Sequence, residues 1–178
     1  MRAHEFILEA DDHYVYHGGT YSGNEGDYDS NIRGEPSSTR PLGVGLYAAG
    51  SEKHAGLYVQ YRSGAKIHKF KVSPTAKLYP WGNDTWQTLS DDEKTYWRNQ
   101  SRNIQDEFIK RGILKSKNMH WTDAISSSGY IRDRDSVRKL LVSLGIDGSY
   151  TQLPNDLIEY AFYNPAVLTP SETKHEST

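Results

Sequence analysis

Cysteine is absent from the chain. A disulfide framework, a thiolate zinc site and a cysteine nucleophile are thereby excluded. Long apolar runs are absent too. No stretch approaches the roughly 18 residues that a membrane-spanning helix needs, and no signal-peptide core follows the start, so a cytoplasmic protein is expected. Neither sign of charge dominates: 21 Lys and Arg stand against 23 Asp and Glu, a formal net charge of −2. A whole-chain basic footprint for nucleic acid is therefore missing, although a local patch stays open. His4, His13, His68, His120 and His175 show no metal-ligand spacing and no acidic cluster accompanies them, so no metal is expected. Gly43-x-Gly45 lacks the third glycine of a dinucleotide fingerprint. No Walker loop, nucleophile elbow, HExxH helix or internal repeat is visible.

What the chain does have is 178 residues, 35% of them apolar and 25% charged, with 13 tyrosines. That length is enough for one domain with a real core, expected over residues 1–170, and the polar residues 171–178 read as a frayed tail. Tyrosine pairs an apolar ring with a polar tip and suits a site that stacks a flat ligand.

Residues 1–10 are compatible with a short helix burying Phe6, Ile7 and Ala10. His13 to His17 reads as a strand ended by Gly18-Gly19, and residues 20–40 as a long loop rich in Gly, Ser, Asp and Asn. Residues 43–49 form a short strand, after which Ser51 caps a helix over 52–62. Lys66 to Val72 is a strand whose three lysines read as a solvated face. Ser90 and Glu93 have capping-box spacing, and Leu89, Tyr96, Trp97, Ile104 and Phe108 recur at helical spacing until Gly112. A further helix over 136–144 has Asp135 as its expected N-cap and buries Val137, Leu140, Leu141 and Leu144. Leu157 to Tyr163 is the last strand, closed by Asn164-Pro165. Strands at both ends and helices in the middle make the class α+β.

Three segments stand out together. They are Tyr16-His17-Gly18-Gly19, Gly43-Val44-Gly45-Leu46-Tyr47-Ala48-Ala49 followed by a helix bearing Tyr58, and Ile158-Glu159-Tyr160-Ala161-Phe162-Tyr163. In their order and spacing they resemble the ADP-ribosyltransferase superfamily, in its diphtheria-toxin and poly(ADP-ribose) polymerase branch. That branch has a His-Gly ending its first strand, a Gly-x-Gly-[Ile/Leu]-Tyr-x-Ala strand, a second tyrosine eleven residues on, and a catalytic Glu in Glu-Tyr-x-x-Tyr. Tyr47 and Tyr58 keep the eleven-residue spacing, and the three blocks frame residues 14–168.

The resemblance implies two small, roughly orthogonal sheets around a cleft for NAD, which is a substrate here. Breaking the bond between nicotinamide and ribose builds oxocarbenium character, which a nearby carboxylate stabilises. By resemblance Glu159 is that carboxylate and also holds a ribose hydroxyl. Tyr47 and Tyr58 sandwich the nicotinamide, His17 bonds the adenosine ribose, and the Gly18 backbone holds the carboxamide. Arg33 and Arg40 flank the long loop, and Arg33 is the candidate for the NAD pyrophosphate, with a solvated loop arginine as the alternative. His54 lies where its helix can face the cleft, with a surface histidine as the alternative.

Two departures qualify the match. Polymerase-branch enzymes usually place a serine three residues before the second tyrosine, where this chain has Ala55. Arginine-directed transferases of the other branch place Glu or Gln two residues before the catalytic Glu, where this chain has Leu157, which argues against an arginine acceptor. The expected reaction is transfer of a single ADP-ribose to a macromolecule. An NAD hydrolase on the same scaffold and a non-catalytic binding or virion protein are the alternatives. A protein side chain, a nucleic-acid base and an RNA end all remain open as acceptor. The opening Met1–Ile7 is similar to that of some tailed-phage proteins, which implies a phage product acting in a bacterial cytoplasm.

Overall fold

The computed structural model describes residues 12–21, 23, 42, 43, 45–60, 64–114, 116, 118–126 and 133–171. Along them run β1 (Tyr14–Gly19), β2 (Leu46–Ala49), α1 (Glu52–Val59), β3 (Lys66–Val72), β4 (Leu78–Pro80), α2 (Asn83–Gln87) and α3 (Asp91–Lys110). There follow α4 (Trp121–Ser126), α5 (Arg134–Ser143), β5 (Gly148–Leu153), β6 (Leu157–Phe162) and β7 (Leu168–Pro170). The class is α+β. The opening segment with Phe6, Ile7 and Ala10, most of the 20–40 loop and residues 172–178 lie outside the described residues.

Local chemistry accounts for the helix starts. The Ser51 hydroxyl accepts from His54 N at 3.3 Å and begins α1. At α3 both halves of the capping box form: Ser90 N donates to Glu93 Oε2 at 2.6 Å and Glu93 N to Ser90 Oγ at 3.3 Å. Gly112 follows α3 with φ of 69°, a conformation that costs a side-chain-bearing residue steric energy. At α5 the cap is Asp133, where the spacing suggested Asp135. Asp133 accepts from Ser136 N and Ser136 Oγ at 3.1 and 2.6 Å, whereas Asp135 lies within the first turn and pairs with Arg138 and Lys139.

The strands join in the order β4-β5-β6-β2-β1-β3-β7, with β4–β5 parallel and the other pairs antiparallel. This is one sheet where two were expected, yet its two halves meet at a narrow join. β1 matches β3 from Tyr14↔Lys71 to Gly19↔Lys66, and β2 matches β6 from Leu46↔Phe162 to Ala49↔Glu159, but β1 and β2 share the single pair Tyr16↔Ala49. β1 also runs through Gly18 and Gly19 instead of ending before them, because Ile67 and Lys66 of β3 back both glycines. The lysines of β3 are only partly free: Lys71 pairs with Asp12, and Lys69 Nζ sits 3.9 Å from the centroid of the Tyr14 ring.

Each side of the sheet carries a core. On the helical side Trp97, Ile104, Phe108, Trp121, Leu141 and Ile146 pack with Ala161 and Tyr163. On the other, Val15, Tyr21, Leu46, Phe70, Phe162 and Leu168 form a second cluster. Among the described residues no helix is long and apolar enough to cross a membrane.

Tyrosine does much of the packing. Burial pushes the phenols of Tyr160 and Tyr163 above their ordinary value of 10, and burial with the nearby Glu93 carboxylate moves Tyr150 to about 12. A raised folded-state value stabilises the fold below the unfolded value and loses that contribution as pH rises through the folded one. These phenols are therefore expected to cost no stability below pH 10 and to lower it progressively from pH 10 to about 12. The urea midpoint followed across that range measures this, and a flat alkaline limb would show that the three phenols ionise as freely in the folded chain as in the unfolded one.

Candidate active site

Glu159 is the third residue of β6 and is only 9% exposed. It lies opposite Ala49 of β2 and Thr151 of β5. Among the described residues none of the ion pairs includes it. A carboxylate held in such a place without a cation is costly unless hydrogen bonds satisfy it. One such bond comes from far along the chain: Tyr58 Oη donates to Glu159 Oε1 at 2.7 Å, across 101 residues of sequence.

α1 makes that contact possible. β2 ends opposite Glu159, Gly50 N donates to Ile158 O at 2.9 Å, and Ser51 caps the helix at once. The short connection ties the start of α1 to the strand that carries the acid. Further along, Gly18 of β1 fits beneath the helix. A Cβ on Gly18 would meet Ala55 O at 2.6 Å, Tyr58 Cβ at 3.2 Å and Val59 Cγ1 at 3.2 Å. The bare Gly18 backbone thus sets how closely α1, and with it Tyr58, approaches the sheet. Burial and the Glu159 carboxylate both push the Tyr58 phenol well above its ordinary range, so it stays a donor. Its ring nevertheless remains 42% exposed, one of two large apolar side chains so exposed among the described residues.

Tyr47 belongs to the same side of the sheet. Cross-strand partners share a face and alternate residues return to it. Ala49↔Glu159 and Tyr47↔Ala161 therefore place Tyr47 and Glu159 on one face, two positions apart. The Tyr47 ring packs partly buried against the helical core. Its hydroxyl accepts from Leu42 N and donates to Gly43 O, each at 3.1 Å, and the φ of 89° at Gly43 shapes the turn it grips. Tyr163 holds the same turn from below, its hydroxyl 2.7 Å from Leu42 O and 2.9 Å from Ser149 Oγ. The second tyrosine of Glu-Tyr-x-x-Tyr is thus a buried fastener for the entry to β2.

His17 meets the site at the join. Continuing the Tyr16↔Ala49 register would set Gly18 against Tyr47, but the ladder stops and a side chain takes over: His17 Nδ1 lies 2.6 Å from Tyr47 O. A carbonyl only accepts, so Nδ1 carries the proton and Nε2 is left with the lone pair in the neutral ring. By alternation the His17 ring leaves β1 on the side away from Gly18, towards Tyr21, whose ring centroid is 6.3 Å off. Gly19 clears space for it, because a Cβ there would collide with His17 Nε2. The pair of glycines thus has two jobs, one for α1 and one for the histidine ring.

The sequence-derived candidates are in this way brought to one seam: Glu159, Tyr58, Gly18 and Tyr47 on one face, and His17 joined to them through the Tyr47 carbonyl. Arg33 and Arg40 lie outside the described residues. His54, read as facing the cleft with a surface histidine as the alternative, is 8% exposed, with its ring centroid 5.6 Å from that of Tyr58. Gly19 was not singled out for the site, although its place beside His17 and Gly18 was signal enough. Among the described residues no group of three or more His, Asp or Glu is arranged to hold a metal ion. Comparison of the chain with protein-family models, with curated proteins and with solved structures found no match.

Proposed function

We propose that the protein is an ADP-ribosyltransferase: it cleaves NAD, releases nicotinamide and transfers one ADP-ribose unit to a macromolecular acceptor. The observation that carries this reading is the Tyr58–Glu159 hydrogen bond of 2.7 Å, which joins a half-exposed aromatic ring to a buried carboxylate that has no cation among the described residues. The narrow β1–β2 join supports the two-part ADP-ribosyltransferase architecture that the sequence resemblance implies.

In this reading the nicotinamide ring lies against Tyr58 and Tyr47, and Gly18 offers main-chain groups to its carboxamide. The carbon–nitrogen bond to ribose breaks and its electron pair leaves with nicotinamide. Glu159 stabilises the positive charge that develops on the sugar. The acceptor's oxygen or nitrogen then bonds to that carbon, and its proton passes to Glu159 or to solvent. His17, oriented by the Tyr47 carbonyl, bonds the adenosine ribose, as the resemblance implies.

Tyr47→Ala is expected to raise the Kd for NAD by about tenfold or more, the scale of losing one stacking partner. Tyr47→Phe keeps the ring and is expected to bind NAD within about threefold of the parent, a difference well under 1 kcal/mol. Calorimetric titration separates the two. Equal weakening in both variants would assign the effect to the hydroxyl's grip on Leu42 and Gly43.

The activity itself is tested by incubating the protein with NAD labelled in the adenylate part and with cell extract. Label moving to a macromolecule supports transfer. Free ADP-ribose alone identifies an NAD hydrolase on this scaffold. Absence of nicotinamide release at any acceptor supply would leave a non-catalytic binding protein.

A further inference from the structure

The cross-strand register carries one row of residues through Glu159. Thr151 of β5 and Ala49 of β2 lie opposite it, Tyr16 of β1 lies opposite Ala49, and Lys69 of β3 lies opposite Tyr16. All five therefore belong to one face of the sheet. The row also extends past Thr151. Tyr79 of β4 lies opposite Ser149 and packs in the helical core, so Trp81, two residues on, returns to that face beside Thr151. The Trp81 amide donates to Tyr150 O at 2.8 Å, and its carbonyl accepts from Thr151 Oγ1 at 3.0 Å. Tyr79 and Trp121 hold the indole edge-on, each with ring centroids 6.2 Å away. Trp81 thus stands two strand spacings, about 10 Å, from Glu159, on the side away from β2 and α1. The ring is partly exposed. Its N–H makes no hydrogen bond among the described residues and, unlike the buried Nδ1 of His54, is not sealed from solvent.

Charge is divided along this row. β3 brings Lys66, Lys69 and Lys71 to one end of the sheet. At the other end, neither 78–93 nor 140–171 contains a Lys or Arg. The first stretch runs through β4 and α2 into the first turn of α3 and carries Asp84, Asp91, Asp92 and Glu93. The second holds β5 and β6 and carries Asp147, Asp156 and Glu159. Asp84 and Asp156 are exposed, and none of the ion pairs among the described residues includes them. Both lie close to the row. Gln152 N donates to Thr85 Oγ1 at 3.0 Å, which seats α2 and the adjoining Asp84 on β5, and Asp156 belongs to the turn that joins β5 to β6.

We infer that the β4–β5 side of this face docks the acceptor, and that the acceptor is a basic protein segment with one Lys or Arg side chain lying on the Trp81 indole. This rests on the ADP-ribose transfer reading above and names the acceptor class for the same site. Tyr47 and Tyr58 mark the side of Glu159 assigned to nicotinamide. A nucleophile must reach the sugar carbon from a direction that the leaving group does not block, and Trp81 stands on the other side. Tryptophan is the aromatic ring that holds a cation best. Exposed carboxylates without partners draw Lys and Arg towards the site and repel the phosphates of a nucleic acid. The lysines that could meet phosphates lie beyond Ala49 and Tyr16, at the far end of the row. The cation on Trp81 anchors the segment, and a neighbouring side chain of that segment receives the ADP-ribose at Glu159.

The test incubates the chain with cell extract and NAD labelled in the adenylate part, then digests the products with protease or with nuclease. Protease is expected to release the label and nuclease to leave it in place. Polylysine is expected to compete with the transfer, whereas single-stranded DNA of equal charge does not. Trp81→Ala, and separately Asp84→Asn with Asp156→Asn, are expected to lower transfer about tenfold while the Kd for NAD stays within about twofold of the parent. The second variant changes only exposed side chains and keeps the test open if Trp81→Ala does not fold. Label released by nuclease, or transfer unchanged in the folded variants, overturns the docking surface and leaves NAD cleavage standing. Free ADP-ribose alone, or no nicotinamide release at all, overturns it together with the transfer reading.

Discussion

Replacing Glu159 by glutamine is expected to lower nicotinamide release by at least about 100-fold, while NAD still binds and the fold stays about as stable as before. The two halves of this expectation come from one feature. Glu159 is buried and, among the described residues, enters no ion pair. With no ion pair to break among the described residues, a neutral amide of the same shape is expected to leave the fold about as stable as before. Glutamine keeps an oxygen able to accept from Tyr58, whose hydroxyl is 2.7 Å from the carboxylate, so the link between α1 and β6 survives. What it loses is the negative charge opposite a sugar turning cationic. A residue placed at that position for stability would behave in the opposite way. Thermal melting and single-turnover nicotinamide release, measured on the same preparations, separate the cases. Unchanged turnover in Glu159→Gln would remove the carboxylate from the chemistry.

The parts of the site that were legible in the sequence are those carried by short patterns. Ser51 and the Ser90–Glu93 box announce helix starts because capping is a contact between near neighbours. Tyr47, Tyr58 and Glu159, and the cleft they share, were expected from the resemblance in order and spacing to a known family; the pairing of β2 with β6 across more than a hundred residues, which brings them together here, was not read from the chain. Elements of three to six residues escaped notice: β4, α2, α4 and β7 are too short to show a period. β5 was missed for another reason. Its Gly-Ser-Tyr-Thr-Gln-Leu has little apolar alternation, and its place in the sheet comes from the close approach of Gly148, where a Cβ would stand 2.5 Å from Ala161 O. The burial of His54 was equally invisible, because a helix stripe read from sequence does not say which of its polar members the rest of the chain will cover.

Gly18→Ala is expected to damage the site more than any other single added methyl group on α1 or its seat. The new Cβ would stand 2.6 Å from the Ala55 carbonyl oxygen, a main-chain atom that cannot swing aside. Either α1 lifts or β1 sinks, and overpacking of this kind costs about 1–3 kcal/mol. Lifting α1 carries Tyr58 away from Glu159 and widens the gap that the nicotinamide ring is proposed to fill, so NAD affinity and turnover are both expected to fall by about 30-fold or more. Gly56→Ala, two residues before Tyr58, supplies the contrast. There the Cβ would meet Ile67 Cδ1 at 3.8 Å, an ordinary contact, and replacing a mid-helix glycine is expected to stabilise by about 0.5–1 kcal/mol. The same change of one methyl group, made on the sheet side and on the helix, should therefore move stability in opposite directions. Urea midpoints and NAD titrations of the two variants check this. If Gly18→Ala binds NAD as the parent does, the spacing between β1 and α1 has no part in holding the ligand, and Gly18 serves packing alone.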